Sequence, residues 1–205
     1  MPAILGRKLG MTQVFQEDGR LERVSVIEAG PCRVTAVRTF DRDGYEAVQL
    51  AYGATREKTL TRAELGHLKK ADSAPMRHLV EFRDEVGELT LGENVKVDVF
   101  SKGDKVKISG KSKGKGFQGT VKRHNFSRGP VSHGSHNTRA PGSIGASATP
   151  SRVFKGIRGP GQMGNKRITQ RGLEVVDVLP EQNVLLVRGS VPGPRGGTVE
   201  IRTDR

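Results

Sequence analysis

With 205 residues, 34% of them hydrophobic, the chain is long enough for one substantial domain or two small ones, and apolar enough to build a core. Its 35 Lys and Arg against 22 Asp and Glu give a formal net charge of +13, while 27 Gly, 10 Pro, no Trp and 4% aromatics concentrate the apolar material in some segments and leave others without it. No apolar stretch approaches the roughly 18 residues of a spanning helix, and the opening MPAILGRKLG has no secretory h-region, which argues against membrane and export roles.

From Met11 to Tyr52, short runs rich in Val, Thr and Phe alternate with turn chemistry: MTQVFQ, then EDG, LERVSVIE, then AGP, RVTAVRTF, then DRDG, and YEAVQLAY. This pattern predicts consecutive antiparallel strands, with Arg33 to Phe40 split into an apolar and a basic face. Cys32 is a lone cysteine, unable to form an internal disulfide, and reads as a small buried residue of an intracellular protein. The next segment, LTRAELGHLKKA, predicts a helix: Thr61 is the N-cap, Glu64 completes a capping box, and Lys69 and Lys70 suit the C-terminal dipole. A loop from Asp72 then leads into a strand, HLVEFR, and Asn94 to Phe100 alternates as another strand. After a basic stretch, strands resume with LEVVDVL, the turn PEQN, VLLVRG and TVEIR. The expected fold class is mainly β: a small antiparallel β-barrel with a helix-bearing insertion and a long irregular basic extension loop. Residues 1–108 and 168–205 form the expected globular domain, with the insertion at about 54–93, and 109–167 form the loop.

The basic stretch divides the chain electrically. Ser101 to Arg171 holds 16 Lys and Arg against one acid, Asp104, a net +15 that leaves −2 for the remainder. No carboxylate occurs from 105 to 173, so these cations have no acids of their own to pair with. A segment so charged and glycine-rich does not offset its ordering entropy alone, and a polyanion orders it as condensed counterions are released. Strands bracket it on both sides, so the segment leaves the domain and returns. If 124 to 164 runs out and back, each limb of about 20 residues spans up to roughly 65 Å.

Glycines alternate with cations in SGKSKGKGFQG, which suits close backbone approach to phosphates, with Lys111, Lys113 and Lys115 on one side of an extended strand. The other candidate nucleic-acid contacts on the outgoing limb are Lys122, Arg123, His124, Arg128, His133, His136 and Arg139. On the returning limb they are Arg152, Lys155, Arg158, Lys166 and Arg167. The histidine rings suit stacking on bases or bonding to phosphate or ribose, and Phe117, Phe126 and Phe154 suit anchoring.

Other chemistry finds little support. GKGFQG matches a dinucleotide-binding glycine pattern, but neither a crossover helix nor a ribose-binding acid follows. His133 and His136 are spaced H-x-x-H without a Cys or carboxylate to complete a metal shell, so no metal is expected. No nucleophile, base and acid come together, so no catalytic residue and no cofactor are expected. A DNA-coating architectural protein stays open beside an RNA-binding one, disfavoured by the lack of a recognition helix in the basic segment.

Three stretches carry a family resemblance: GRKLGMTQVF at Gly6 to Phe15, SGKSKGKGFQGTVKRHNFSRGPVSHGSHNTRAPGSIG at Ser109 to Gly145, and TPSRVFKGIRGPGQMGNKR at Thr149 to Arg167. They resemble the bacterial large-subunit ribosomal protein of the L-three family. The resemblance implies a non-enzymatic structural protein in the cytoplasm, with the barrel on the outer face of the large subunit and the extension threading ribosomal RNA toward the peptidyl transferase centre. It also implies a role in early subunit assembly, neighbouring ribosomal proteins as partners, and neither a membrane nor a small-molecule substrate. The extension tip would be Ser143, Ile144, Gly145, Ala146, Ser147, Ala148 and Thr149. Many bacterial members read QNQ where this chain has Ala146, Ser147 and Ala148, so the glutamine that can be N-methylated in such members is absent.

Overall fold

The first strand, β1 (Ala3–Phe15), begins eight residues before the predicted start at Met11. Ala3, Ile4 and Leu5 are buried in succession, because both faces of the strand are covered here and alternation disappears. β2 (Leu21–Ala29) runs back along β1, with a register shift between Lys8 and Gly10. Gly6 makes this approach possible: a Cβ there would sit 2.6 Å from the Glu28 carbonyl oxygen and 2.9 Å from the Ile27 methyl. The chain then turns through Gly30, at φ +76°, into β3 (Cys32–Arg38). A one-turn helix, α1 (Phe40–Asp43), stands where a plain turn was expected. Beside it the Asp43 carboxylate accepts a 2.7 Å bond from the Arg38 guanidinium. β4 (Ala47–Ala54), α2 (Arg62–Lys70) and β5 (Met76–Phe82) follow.

Helix α2 has the predicted capping box. Glu64 Oε2 accepts from the Thr61 N–H at 2.8 Å, and Thr61 Oγ1 accepts from the Glu64 N–H at 3.3 Å. The alternating run at 94–100 behaves differently from its prediction. Only β6 (Asn94–Val95) is strand, because its ladder with β3 ends after two pairs. Val97–Val99 then closes a 3-10 turn that directs Val97 and Phe100 into the core.

The chain continues through β7 (Lys105–Lys111), β8 (Phe117–Gln118), α3 (Thr120–His124), β9 (Gly161–Gln162), β10 (Arg167–Leu179), β11 (Val184–Arg188) and β12 (Thr198–Thr203). In this computed structural model the described residues are 2–16, 18–83 and 89–204. Two compact units emerge, one of Met1–Ser112 with Arg167–Arg205 and one of Lys113–Lys166.

In the first unit six strands close an antiparallel barrel in the order β1-β12-β7-β10-β11-β2, and a second antiparallel sheet runs β5-β4-β3-β6. The expected antiparallel barrel is therefore present. Strands β3 and β4, expected among the consecutive antiparallel strands of the barrel domain, do pair antiparallel with each other, but in the second sheet with β5 and β6. Ile4, Leu5, Ile27, Ile108, Leu185 and Ile201 of the barrel strands belong to one buried cluster with Val34, Leu50 and Phe82 of the second sheet and Val97 of the 3-10 turn. Burying one such side chain contributes about 1.5–3 kcal/mol. Cys32 lies in this cluster as a free thiol, and burial pushes its pKa up to about 12. Among the described residues no helix is long and apolar enough to cross a membrane.

Candidate nucleic-acid interface

The basic segment departs from the end of β7 and returns at the start of β10, where Arg167 pairs with Lys111 and Ile168 with Gly110 across the ladder. Both ends are thereby anchored on neighbouring barrel strands. Arg167 is engaged locally: its guanidinium donates to the Glu200 carboxylate at 2.5 Å, and that bond raises its pKa above the ordinary arginine value. Arg171 makes a comparable pair with Asp204 at 3.0 Å, which holds the Asp204 carboxyl below the usual carboxylate range. Lys111 ends β7 with its side chain exposed. The strand stops there, so Lys113 and Lys115 do not continue along one side of it as the alternation suggested.

Within the second unit, the two limbs are clipped together by backbone. The Lys115 N–H donates to the Met163 carbonyl and the Met163 N–H to the Gly116 carbonyl, both at 2.9 Å. Phe117 and Gln118 then pair with Gln162 and Gly161. Gly164 sits at φ +70°, and a Cβ there would collide with the Lys113 carbonyl oxygen, so a side chain would push the limbs apart. This clip was not predicted, because each of its strands is only two residues long.

Helix α3 was also not predicted. Its five residues, TVKRH, carry no apolar period, and it ends at Asn125 in the left-handed conformation. It carries Lys122, Arg123 and His124 in its last turn, where cations suit the dipole. Arg123 Nη1 donates to the Gly159 carbonyl at 2.6 Å, and His124 Nε2 lies 3.1 Å from the same oxygen. These two side chains tie the outgoing limb to the returning one. The His124 ring also leans on Phe126, with centroids 6.2 Å apart.

Beyond this clip the limbs are almost wholly solvent-facing. Lys113, Lys115, Lys122, Arg128, His133, His136, Arg139, Arg152, Lys155, Arg158 and Lys166 are all exposed, whereas Arg123 and His124 are half-buried. The Gly129 N–H bonds to the Thr138 carbonyl at 3.0 Å, closing a loop that carries His133 and His136. Arg152 lies over the Phe154 ring at 5.3 Å. Ser143 through Thr149 are exposed, held only by local bonds such as Ser143 Oγ to the Gly145 carbonyl at 3.1 Å.

The unit spans 54 residues with ten Lys and Arg and no acid, so no internal ion pair is possible. Thr120 is its one buried residue among the described ones, while Phe117 is 75% and Phe154 57% exposed. A segment of this charge and exposure offers phosphate-neutralising groups and flat rings over its whole length. Among the described residues no group of three or more His, Cys, Asp or Glu is placed to hold a metal ion.

A family model described as Ribosomal protein L3 matches residues 70–183. The large ribosomal subunit protein uL3 of Acaryochloris marina is 57% identical over 200 residues, 97% of this chain and 94% of that protein. The protein of the same name from Gloeobacter violaceus is 58% identical, covering 97% and 93%, and that of Thermosynechococcus vestitus is 53% identical, covering 97% and 94%. With the barrel, the acid-free extension and this similarity along nearly its whole length, the chain belongs to the ribosomal protein L3 family, the structural, non-catalytic proteins of the large ribosomal subunit.

Proposed function

We propose that the chain binds large-subunit ribosomal RNA directly through the 109–167 extension, supports early assembly of that subunit in the cytoplasm, and directs the loop toward the peptidyl transferase centre. The globular parts, 1–108 and 168–205, anchor it and meet neighbouring ribosomal proteins. The observation that carries this reading is the unit Lys113–Lys166, with ten cations, no acid and one buried residue among those described. Lys111, Lys113, Lys115, Lys122, Arg128, Arg139, Arg152, Lys155, Arg158 and Lys166 neutralise phosphates. His133 and His136 stack on bases or bond to ribose, while Arg123 and His124 contribute charge and hold the limbs together. Arg167, already paired with Glu200, contributes at the base of the extension.

The ordering of the extension is coupled to RNA binding, because it has no core of its own. Hydrogen exchange checks this: amides of 125–158 exchange with little protection in the free protein and become protected on large-subunit RNA. Strong protection without RNA would contradict it.

The tip from Ser143 to Thr149 lies nearest the catalytic RNA in this reading, and its small side chains let the RNA pack closely. Replacing Ala146 or Ala148 with Trp is expected to shift growth inhibition by drugs of the peptidyl transferase centre several-fold. Unchanged inhibition across several bulky replacements would remove the tip from that neighbourhood.

A further inference from the structure

Arg123 differs in its surroundings from the exposed cations beside it. It is half-buried where Lys115, Lys122 and Arg158 are exposed. Its Nη1 donates to the Gly159 carbonyl at 2.6 Å, and His124 Nε2 lies 3.1 Å from the same oxygen, which has two lone pairs to offer. The guanidinium also rests on the returning backbone. A Cβ at Gly161 would sit 2.8 Å from Arg123 Nη1 and 3.2 Å from Cζ, so glycine leaves the room that the guanidinium occupies. At φ +157°, Gly161 also holds a backbone conformation that other residues rarely adopt.

What this contact joins would not hold by itself. The ladder of β8 and β9 is two residue pairs long, and a short two-stranded ribbon is marginal in water. Its limbs carry like charge, and the chain between them is long, so closing it costs entropy. Arg123 and Gly159 lie one step beyond that ladder, toward the tip. The Arg123 N–H bonds to the Gly119 carbonyl at 3.0 Å, and Thr120 between them is buried, which fixes the base of the side chain. A hydrogen bond from a charged donor is strong enough to shift such a closing equilibrium by about tenfold or more.

We propose that Arg123 is a positioning residue, which latches residues 113–124 to 159–166 in a stem that is folded before RNA binds, and leaves 125–158 to order on the RNA. Arg123 then acts on RNA binding through the register of the two limbs, with its donor committed to Gly159. Exposed neighbours such as Lys122 make the phosphate contacts. The inference rests on the reading of the extension as the RNA-binding element.

The first test needs no RNA. In the free full chain, the Lys115 and Met163 amides, which bond across the limbs, should exchange slowly while those of 125–158 exchange freely. Arg123→Gln and Gly161→Ala should each speed exchange at these two amides by at least about tenfold, with the Ile108 and Ile201 amides as the control for a folded barrel. The double substitution should cost less than the two effects combined, because both act on one contact. Fast exchange in the unsubstituted chain, unchanged exchange in either variant, or fully additive effects would overturn the latch. The second test measures binding to large-subunit RNA across a salt series. Lys122→Gln should reduce the salt slope by about 0.7–0.9, as loss of one phosphate contact does. Gly161→Ala, which removes no charge, should weaken binding several-fold at an unchanged slope. Unchanged affinity of Gly161→Ala would also overturn the proposal. Failure of the unsubstituted chain to bind this RNA would instead count against the functional reading above.

Discussion

Replacing 113–166 with a short Gly-Ser turn between Ser112 and Arg167 is expected to leave a folded barrel that has lost at least about 10³-fold in affinity for large-subunit RNA at low salt. The barrel survives because Arg167 pairs with Lys111 and Ile168 with Gly110, so the turn closes a hairpin that already exists. Affinity disappears because ten Lys and Arg leave with the segment and no acid leaves with them. The salt dependence separates this from misfolding. A protein making 6–10 phosphate contacts weakens by about 10³–10⁵ between 50 and 200 mM salt, so the full chain should show a slope of that order and the shortened one a nearly flat response. Filter binding across a salt series, with circular dichroism on both proteins, measures it. Equal slopes would mean that the barrel surface carries the binding.

The second large effect falls on the barrel. Ile108→Ala should destabilise the folded unit by about 2–5 kcal/mol, read from the urea midpoint. Ile108 is fully buried on β7, paired with Ile201 on one side and Gln170 on the other. Its loss leaves a cavity where three strands meet, a large fraction of the roughly 5–15 kcal/mol that holds a domain. Phe117→Ala is the contrasting substitution: that ring is 75% exposed, so stability should change by no more than about 0.5 kcal/mol. If the two substitutions cost the same, the extension would have to hold a core that its exposure does not show.

What could be read from the sequence follows the range of the interactions involved. The helix at Arg62–Lys70 was legible because its signals, Thr61 and Glu64, act within one turn. The strands after Leu173 were legible because apolar alternation and the PEQN turn are local too. The partition of strands between sheets was not. Whether β3 pairs with β2 or with β4 and β6 depends on the turn at Gly30 and on residues some sixty positions away at Asn94 and Val95. The run at 94–100 kept a strand's alternation, yet it lost its ladder partner after Val95, which no local pattern reports.

The candidate interface divides in the same way. The absence of acids between Asp104 and Glu174 is a property of composition and stands in the sequence. That Arg123 and His124 converge on the Gly159 carbonyl depends on the return of the chain 35 residues later, and α3 is too short to show a period. Arg167 carries a contact that composition does not report. By charge it resembles its neighbours, but Glu200, in the adjoining strand β12, already engages it.

Crosslinking of the full chain in cells, with sequencing of the attached RNA and gradient fractionation of the same lysate, tests the central claim most directly. Crosslinks from residues 110–165 to large-subunit RNA, with the protein sedimenting with that subunit, are the result expected. Crosslinks to DNA or to diverse RNAs, with the protein in the light fractions, would contradict it.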